Sequence, residues 1–256
     1  MSVSLSARAS ALRALHRPGD PLVLPNVWDA GSARAVADAG FPAVATGSAA
    51  VAESLGHRDG ENLPLDEMFG AVARITRAVD VPVTADLERG YGRKPDELVT
   101  RLLEAGAVGL NLEDSDPRTG ALVDAEEQAE LLAGVRAAAD TAGVAVVLNA
   151  RVDVFLHPDR KPAERLAEAI RRGRRYLAAG ADCVYPIVLA EPAALGSFVE
   201  AMAAPVNVLA RAGVPTIAEL AALGVARVSY GSGLYAATRA HTARLLAAVA
   251  AGGPLN

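Results

Sequence analysis

Short apolar runs alternate along the chain with longer segments whose apolar positions recur three and four residues apart. The runs are Leu22 to Pro25, Ala43 to Gly47, Val81 to Asp86, Val108 to Glu113, Val144 to Ala150, Cys183 to Ile187, Val206 to Ala210 and Ala226 to Gly231. Each is short and almost continuously apolar, the pattern of a strand buried on both faces. Between them lie PLDEMFGAVARITRAV, PDELVTRLLEAG, DAEEQAELLAGVRAAADTAG and KPAERLAEAIRRGRRYLAAG, each with one apolar helical face, and several end at a glycine suited to a C-terminal cap. Strict strand-helix alternation requires parallel pairing through right-handed crossovers, and eight such units close naturally on themselves. The expectation is an α/β chain forming a single (β/α)8 TIM barrel domain over residues 1–256. An open doubly wound sheet is the competing arrangement, but PNVWDAGSA follows the first run where that fold usually carries a glycine-rich fingerprint.

Composition narrows the function more than the fold. Hydrophobic residues make up 52% of the chain, yet charges interrupt every long segment before the roughly 20 apolar residues that a membrane span needs. The first twenty residues lack the apolar stretch and small-residue cleavage site of a secretory signal, so a cytoplasmic protein is expected. The single cysteine, Cys183, excludes an internal disulfide framework and reads as a small buried hydrophobe. A net charge of −5 without a basic run argues against nucleic-acid and anionic-membrane partners. A small-molecule ligand is the expectation that remains.

In barrels of this kind chemistry gathers at the C-terminal ends of the strands. The third run ends in TADLERGYG, where Asp86 and Glu88 stand two apart and both face the mouth if the extended backbone continues that far. The fourth offers Glu113 and Asp114, the fifth Arg151 and Asp153, and the loop LGHRDG after the second offers Asp59. Carboxylates converging without Cys or His suit a hard cation bound through oxygen, Mg2+ in particular, which keeps several waters and needs few protein ligands. Pairing of the same acids with Arg89, Arg93 or Arg151 in a surface network is the competing explanation. The two lysines, Lys94 and Lys161, lie beyond strand ends, against a Schiff-base mechanism. Ser48, Ser115 and Ser229 lack a nucleophile elbow or His partner. His16 and His241 read as surface helix residues, and His57 and His157 as loop residues at the mouth.

These motifs, taken in order, resemble the isocitrate lyase and phosphoenolpyruvate mutase superfamily over nearly the whole chain. LPNVWDAGSARAVADAGFPAVATGS is similar to its first two strands, and LGHRDG to its loop bearing a metal-site aspartate, here Asp59. The resemblance implies Asp86 as direct metal ligand, with Asp59, Glu88 and Glu113 acting through metal-bound water. It implies Gly47, Ser48 and Ala49 as the oxyanion-binding turn and Arg151 as the arginine that holds the substrate carboxylate. The implied ion is Mg2+, with Mn2+ as the alternative. The implied substrate is a small 2-oxo or 2-hydroxy acid, and the chemistry is cleavage at C3 through an enolate. A homo-oligomer, dimer or tetramer, is likewise implied.

The departures from the family pattern are informative. EDSDPRTGALVD stands where the isocitrate-type lyases carry a Lys-Lys/Arg-Cys-Gly-His loop, so their proton donor is missing. Pro117, Arg118, Thr119 and Gly120 are a shortened echo of the Lys-Thr-Asn gating loop of phosphonopyruvate enzymes, and Arg118 is the one residue there able to meet an anion. Ile187 stands about where the mutase has a histidine. The reading is a carbon-carbon lyase on a 2-oxo or 2-hydroxy dicarboxylate, of oxaloacetate-decarboxylase type. A phosphonopyruvate-type hydrolase or mutase, a phosphate-binding barrel using SYGSG, and a non-catalytic 2-oxo-acid binder are the alternatives.

Overall fold

The first apolar run is interrupted by Pro25, which has no N–H to give to a ladder. In the computed structural model, which describes residues 4–159 and 161–254, β1 (Leu22–Leu24) ends before this proline and β2 (Asn26–Val27) begins after it. The few residues outside that range are part of the expected 1–256 domain and are not described. β2 pairs with β3 (Val44–Thr46), and the parallel sheet continues through β4 (Val83–Asp86), β5 (Gly109–Glu113), β6 (Val147–Val152) and β7 (Cys183–Pro186). β8 (Asn207–Leu209) pairs with β9 (Arg227–Ser229), and β9 with β1. A parallel bridge between Val184 and Val206 joins β7 to β8. Because β1 and β2 are one stave bent at Pro25, the strands form a closed eight-stave parallel barrel.

The helices pack outside it: α1 (Leu5–Ala14), α2 (Ala30–Asp38), α3 (Ser48–Ser54), α4 (Leu65–Thr76), α5 (Pro95–Glu104), α6 (Ala125–Thr141), α7 (Pro162–Ala178), α8 (Pro192–Met202), α9 (Ile217–Ala222) and α10 (Gly233–Ala250). Polar signals set their ends. Asp29 and Ser32 form a capping box on α2, and Thr216 and Glu219 form one on α9. Gly106 and Gly180 follow α5 and α7 with φ of +85° and +101°, the left-handed turn that glycine accepts without strain. The fifth run is displaced from its expected position: Val144 N–H still bonds to Ala139 O at the end of α6, so the strand starts at Val147 and extends to Val152. Arg151 therefore lies within the strand, level with Glu113 on one side and Tyr185 on the other.

Two helices stand at opposite extremes of burial. α1 lies across the N-terminal end of the barrel, where Leu12 is fully buried against Gly109. A Cβ at Gly109 would stand 2.8 Å from Leu12 Cδ2 and 2.9 Å from Thr84 Oγ1, so only glycine admits this contact. His16, just after α1, is buried rather than exposed as the sequence suggested, and burial with the nearby Arg227 charge lowers its ring pKa to about 4. At the opposite extreme, none of the residues of α10 is buried, and Leu246 is 62% exposed. No helix among the described residues is long and apolar enough to cross a membrane.

The barrel interior is unusually polar, since branched apolar residues usually fill such barrels. Arg227 is fully buried, and its Nη2 donates to Asn111 Oδ1 at 3.2 Å, from β9 across to β5, which is not its neighbour. Asn149 Nδ2 donates to the same oxygen at 2.9 Å, and Asn207 Nδ2 to Ser229 Oγ at 3.2 Å. These side chains form a floor beneath the mouth.

Candidate active site

Above this floor lies a cavity of about 220 Å3 at the C-terminal ends of the strands. One side is built by β3 to β6. Asp86, the last residue of β4, is held at both ends: its N–H donates to Thr46 Oγ1 at 2.9 Å, and its Oδ2 accepts from Ser48 N–H at 3.0 Å. Gly47, Ser48 and Ala49, at the start of α3, and Asp59 line the cavity beside it. Arg151 is the one cation among the described residues lining the cavity. Its Nε and Nη2 make a two-pronged pair with Asp153 at 2.6 and 3.1 Å, and its Nη1 meets Glu113 Oε2 at 2.5 Å.

The support continues behind Arg151. Asp153 is fully buried, accepts from Ser115 Oγ at 2.6 Å, and its N–H donates to Asp114 Oδ1 at 2.8 Å. Asp114 Oδ2 in turn accepts from Tyr176 O–H at 2.7 Å and Arg172 Nη1 at 3.0 Å, both on α7. Each buried charge along this line is paired, as burial requires. Arg151 is thus fixed in direction before any ligand arrives.

Glu88 departs from its expected position. The extended backbone stops at Asp86, and Glu88 takes a φ of +51°, turning its side chain away from the cavity lining. Its Oε2 accepts from Glu61 N–H at 2.6 Å and its Oε1 from Tyr91 O–H at 2.8 Å. Glu61 Oε1 answers by accepting from the N–H groups of Tyr91 at 2.6 Å and Arg89 at 3.2 Å. Glu61 and Tyr91 are also left-handed, at φ of +57° each. Three strained non-glycine residues in one clasp cost free energy that the two-way hydrogen bonding offsets, and the clasp ties the Asp59 loop to the Asp86 strand.

Three carboxylates here are displaced by burial and by neighbouring charge. Burial and then the Asp86 charge raise the Asp59 carboxyl, with a Ser48 hydrogen bond opposing them. Burial followed by the Asp59 charge brings Glu88 up to about 7. Burial lifts Glu113 well above the carboxylate range against the pull of Arg151, and the charges of Asp153, Asp86 and Glu88 lift it further. Burial works against the charge of Arg151, but Asp153 and Glu113 hold it protonated. Crowded anions with one committed guanidinium are the electrostatic setting that a divalent cation relieves. No three candidate ligand side chains form one cluster among the described residues. Such a donor set fits a hard ion that takes one or two carboxylates and completes its shell with water.

The facing wall comes from β7 to β9 and carries no charge: Tyr185, Ile187, Leu209, Ser229, Gly231 and Ser232. Gly231 and Ser232, from the SYGSG segment, close the cavity beside Asn26, which accepts from Tyr230 N–H at 2.8 Å.

The phosphoenolpyruvate phosphomutase family profile matches residues 12–250. The chain belongs to this family. It is part of the isocitrate lyase and phosphoenolpyruvate mutase superfamily, a superfamily of TIM barrels whose lyases cleave carbon-carbon bonds of small acids. An uncharacterised protein of Mycobacterium tuberculosis is 37% identical over 235 residues, covering 90% of this chain and 86% of that one. The 2-methylisocitrate lyase of Escherichia coli is 30% identical over 216 residues, covering 80% and 70% respectively. A crystal structure from Burkholderia cenocepacia J2315, provisionally named a phosphonomutase, superposes with a TM-score of 0.89 at 47% identity and covers 93% of this chain and 98% of that one.

Within this family fold, the expected site residues separate into groups. Asp86, Asp59, Arg151, Gly47, Ser48 and Ala49 meet at one cavity; Glu113 and Glu88 stand behind it, on Arg151 and in the clasp. Arg118 lies apart, its side chain 86% exposed and pairing with Asp116 on its own loop at 3.4 Å. Glu61, Tyr91, Asn111, Tyr185 and Arg227 were not anticipated. Arg227 was detectable as a charge inside an apolar run, and Tyr185 as the residue alternating with Cys183 and Ile187.

Proposed function

We propose that the protein is a Mg2+-dependent lyase that cleaves a carbon-carbon bond at C3 of a small 2-oxo or 2-hydroxy acid through an enolate, of oxaloacetate-decarboxylase type. The observation that carries this reading is the meeting of Asp86, Asp59 and a pre-aimed Arg151 in one small cavity. Asp86 would hold the ion directly and Asp59 through water, with Glu113 on Arg151 and Glu88 in the clasp supporting them from behind, and Mn2+ as a substitute. The ion supplies Lewis-acid withdrawal of charge from the substrate's 2-oxo oxygen. Arg151 binds the substrate carboxylate with the donors left free by Asp153 and Glu113, and its charge faces the developing enolate. The turn Gly47 to Ala49 bounds the same space and limits the substrate's size. Arg118, out in solvent, draws anions toward the mouth.

Departing CO2 is neutral, and a leaving carboxylate set against Ile187 and Leu209 loses the hydration that favours its charged form. The same uncharged wall offers nothing to a dianionic phosphonate, which weighs against P–C chemistry. The deciding experiment measures pyruvate release from oxaloacetate, alkylmalates, methylisocitrate and phosphonopyruvate, each with Mg2+ and with EDTA. Mg2+-dependent release from oxaloacetate is the expected result, and no turnover on the whole panel would reject the lyase reading in favour of a binder.

The proposed working form is a homo-oligomer in the cytoplasm. Its support is α10, without a buried residue, beside a groove of about 770 Å3 that Trp28, Phe41, Tyr230 and Leu234 line. Light scattering on the purified chain is expected to give a dimer or tetramer, and a monomer at micromolar concentration would refute this.

A further inference from the structure

The decarboxylation proposed above leaves an enolate that must gain a proton at C3, and the lyase loop that would carry a cysteine for this purpose holds none. The one cysteine, Cys183, is fully buried in the barrel, where burial pushes its thiol up to about 12. Two residues along β7, on the same face, stands Tyr185. It is 5% exposed, and it lines the cavity that Asp86 and Arg151 share. Its register partner on β6 is Arg151 itself.

Among the residues lining this cavity, the side chains with a proton to give from the uncharged wall are Tyr185, Ser229 and Ser232. A phenol is a far stronger acid than an aliphatic alcohol, so of these three Tyr185 is the usable donor. We propose that Tyr185 is the catalytic acid that protonates C3 of the enolate, an assignment that rests on the lyase reading. In this step the C3–C4 bond has broken and its electron pair lies in the C2–C3 enolate. The Tyr185 O–H bond then breaks as a C3–H bond forms, and the phenolate takes its replacement proton from water. Oxaloacetate and one proton become pyruvate and CO2, with no oxidant or reductant.

The surroundings suit both states of the group. Burial pushes the phenol up to about 12, which keeps it protonated and ready to donate at neutral pH. The Arg151 charge, the Ser229 hydroxyl and the Arg227 charge oppose that rise while the Asp86 charge adds to it, so the phenolate would face two guanidinium groups as well as one carboxylate. This also gives Arg227, buried with only its Nη2 hydrogen-bonded, a task beneath the cavity.

The test compares wild type with Tyr185→Phe in Mg2+, measuring pyruvate formation from oxaloacetate and deuterium entry into the pyruvate methyl group in heavy water by proton NMR. Tyr185→Phe is expected to lower both rates about a hundredfold with KM changed by less than about threefold. Calorimetric binding of oxalate, a planar enolate mimic, is expected to be unchanged, which separates lost chemistry from a lost fold. Exchange and turnover within about threefold of wild type would overturn the assignment and leave the lyase reading standing. Lost oxalate binding would overturn it too, making Tyr185 a structural residue. A wild-type protein that neither releases pyruvate nor exchanges its methyl protons would remove both.

Discussion

The two sides of the cavity are built on different principles. The side from β3 to β6 is charged, strained and cross-linked: Asp86 is pinned by Thr46 and Ser48, Arg151 by Glu113 and Asp153, and Glu88 by Glu61 and Tyr91. The side from β7 to β9 presents neutral side chains, Tyr185, Ile187, Leu209 and Ser229, with little cross-bonding among them. Charged groups must be fixed in advance, because each costs desolvation and is useful only in one geometry. A neutral wall needs only shape and can change without unfolding the barrel. Relatives that share the acidic side can therefore diverge in substrate through the other.

Substitutions on either side can break or sharpen this contrast. The largest effect is expected for Arg151→Met, which strands Asp153 and Glu113 as buried, unpaired acids. Urea unfolding of the metal-free protein should reveal a loss of about 3–5 kcal/mol. A loss below about 1 kcal/mol would mean that the charged side is not self-supporting. Asp86→Asn comes next and should leave the fold intact while lowering Mg2+-dependent turnover at least about a hundredfold and weakening Mg2+ binding by calorimetry. Undiminished metal binding would dismiss Asp86 as the ligand.

A third change lies away from both sides. The ring of His16 is kept neutral in the fold at a pKa of about 4 against an ordinary 6.5. The unfolded chain takes up this proton first, so the contribution is complete above pH 6.5 and disappears as pH falls toward 4. Denaturation midpoints from pH 7.5 to 4.5 should show roughly 2–3 kcal/mol lost on this account. A His16→Gln protein should lack that component, and an identical pH profile would refute the assignment. Glu61→Ala should then weaken Mg2+ binding about tenfold by loosening the clasp, whereas Glu61→Gln keeps an acceptor for the Arg89 and Tyr91 N–H groups and should recover most of it. If Gln fails as badly as Ala, charge rather than positioning is at work. The smallest effect belongs to the neutral wall: Leu209→Ala is expected to raise KM about threefold with kcat nearly unchanged. A collapse of kcat there would erase the distinction between the two sides.

The same contrast explains what could be read before the fold was known. Asp86, Glu113 and Arg151 ended or followed apolar runs, and a strand end in a barrel has one destination. The eight staves and their order were legible for the same reason, with the bend at Pro25 and the three-residue delay of β6 as the misses. Glu88 was misplaced because its direction depends on a left-handed φ that the sequence does not announce. Glu61 was invisible, since a loop carboxylate becomes informative only when another loop's N–H groups are brought to it. Arg118 carried the expected charge, but its position depends on a loop with no strand to aim it. His16 was read as exposed because nothing local foretold that α1 would lie over the base of the barrel.

That last contact sets the traffic through the molecule. With Leu12 seated on Gly109, α1 covers the lower end of the barrel and leaves the mouth as the face open to ligands. In the reaction proposed above, substrate would enter and both products depart through the mouth, so the fragment nearer the doorway would leave before the one behind it. The inner product, last to go, is then the one expected to compete with the next substrate molecule.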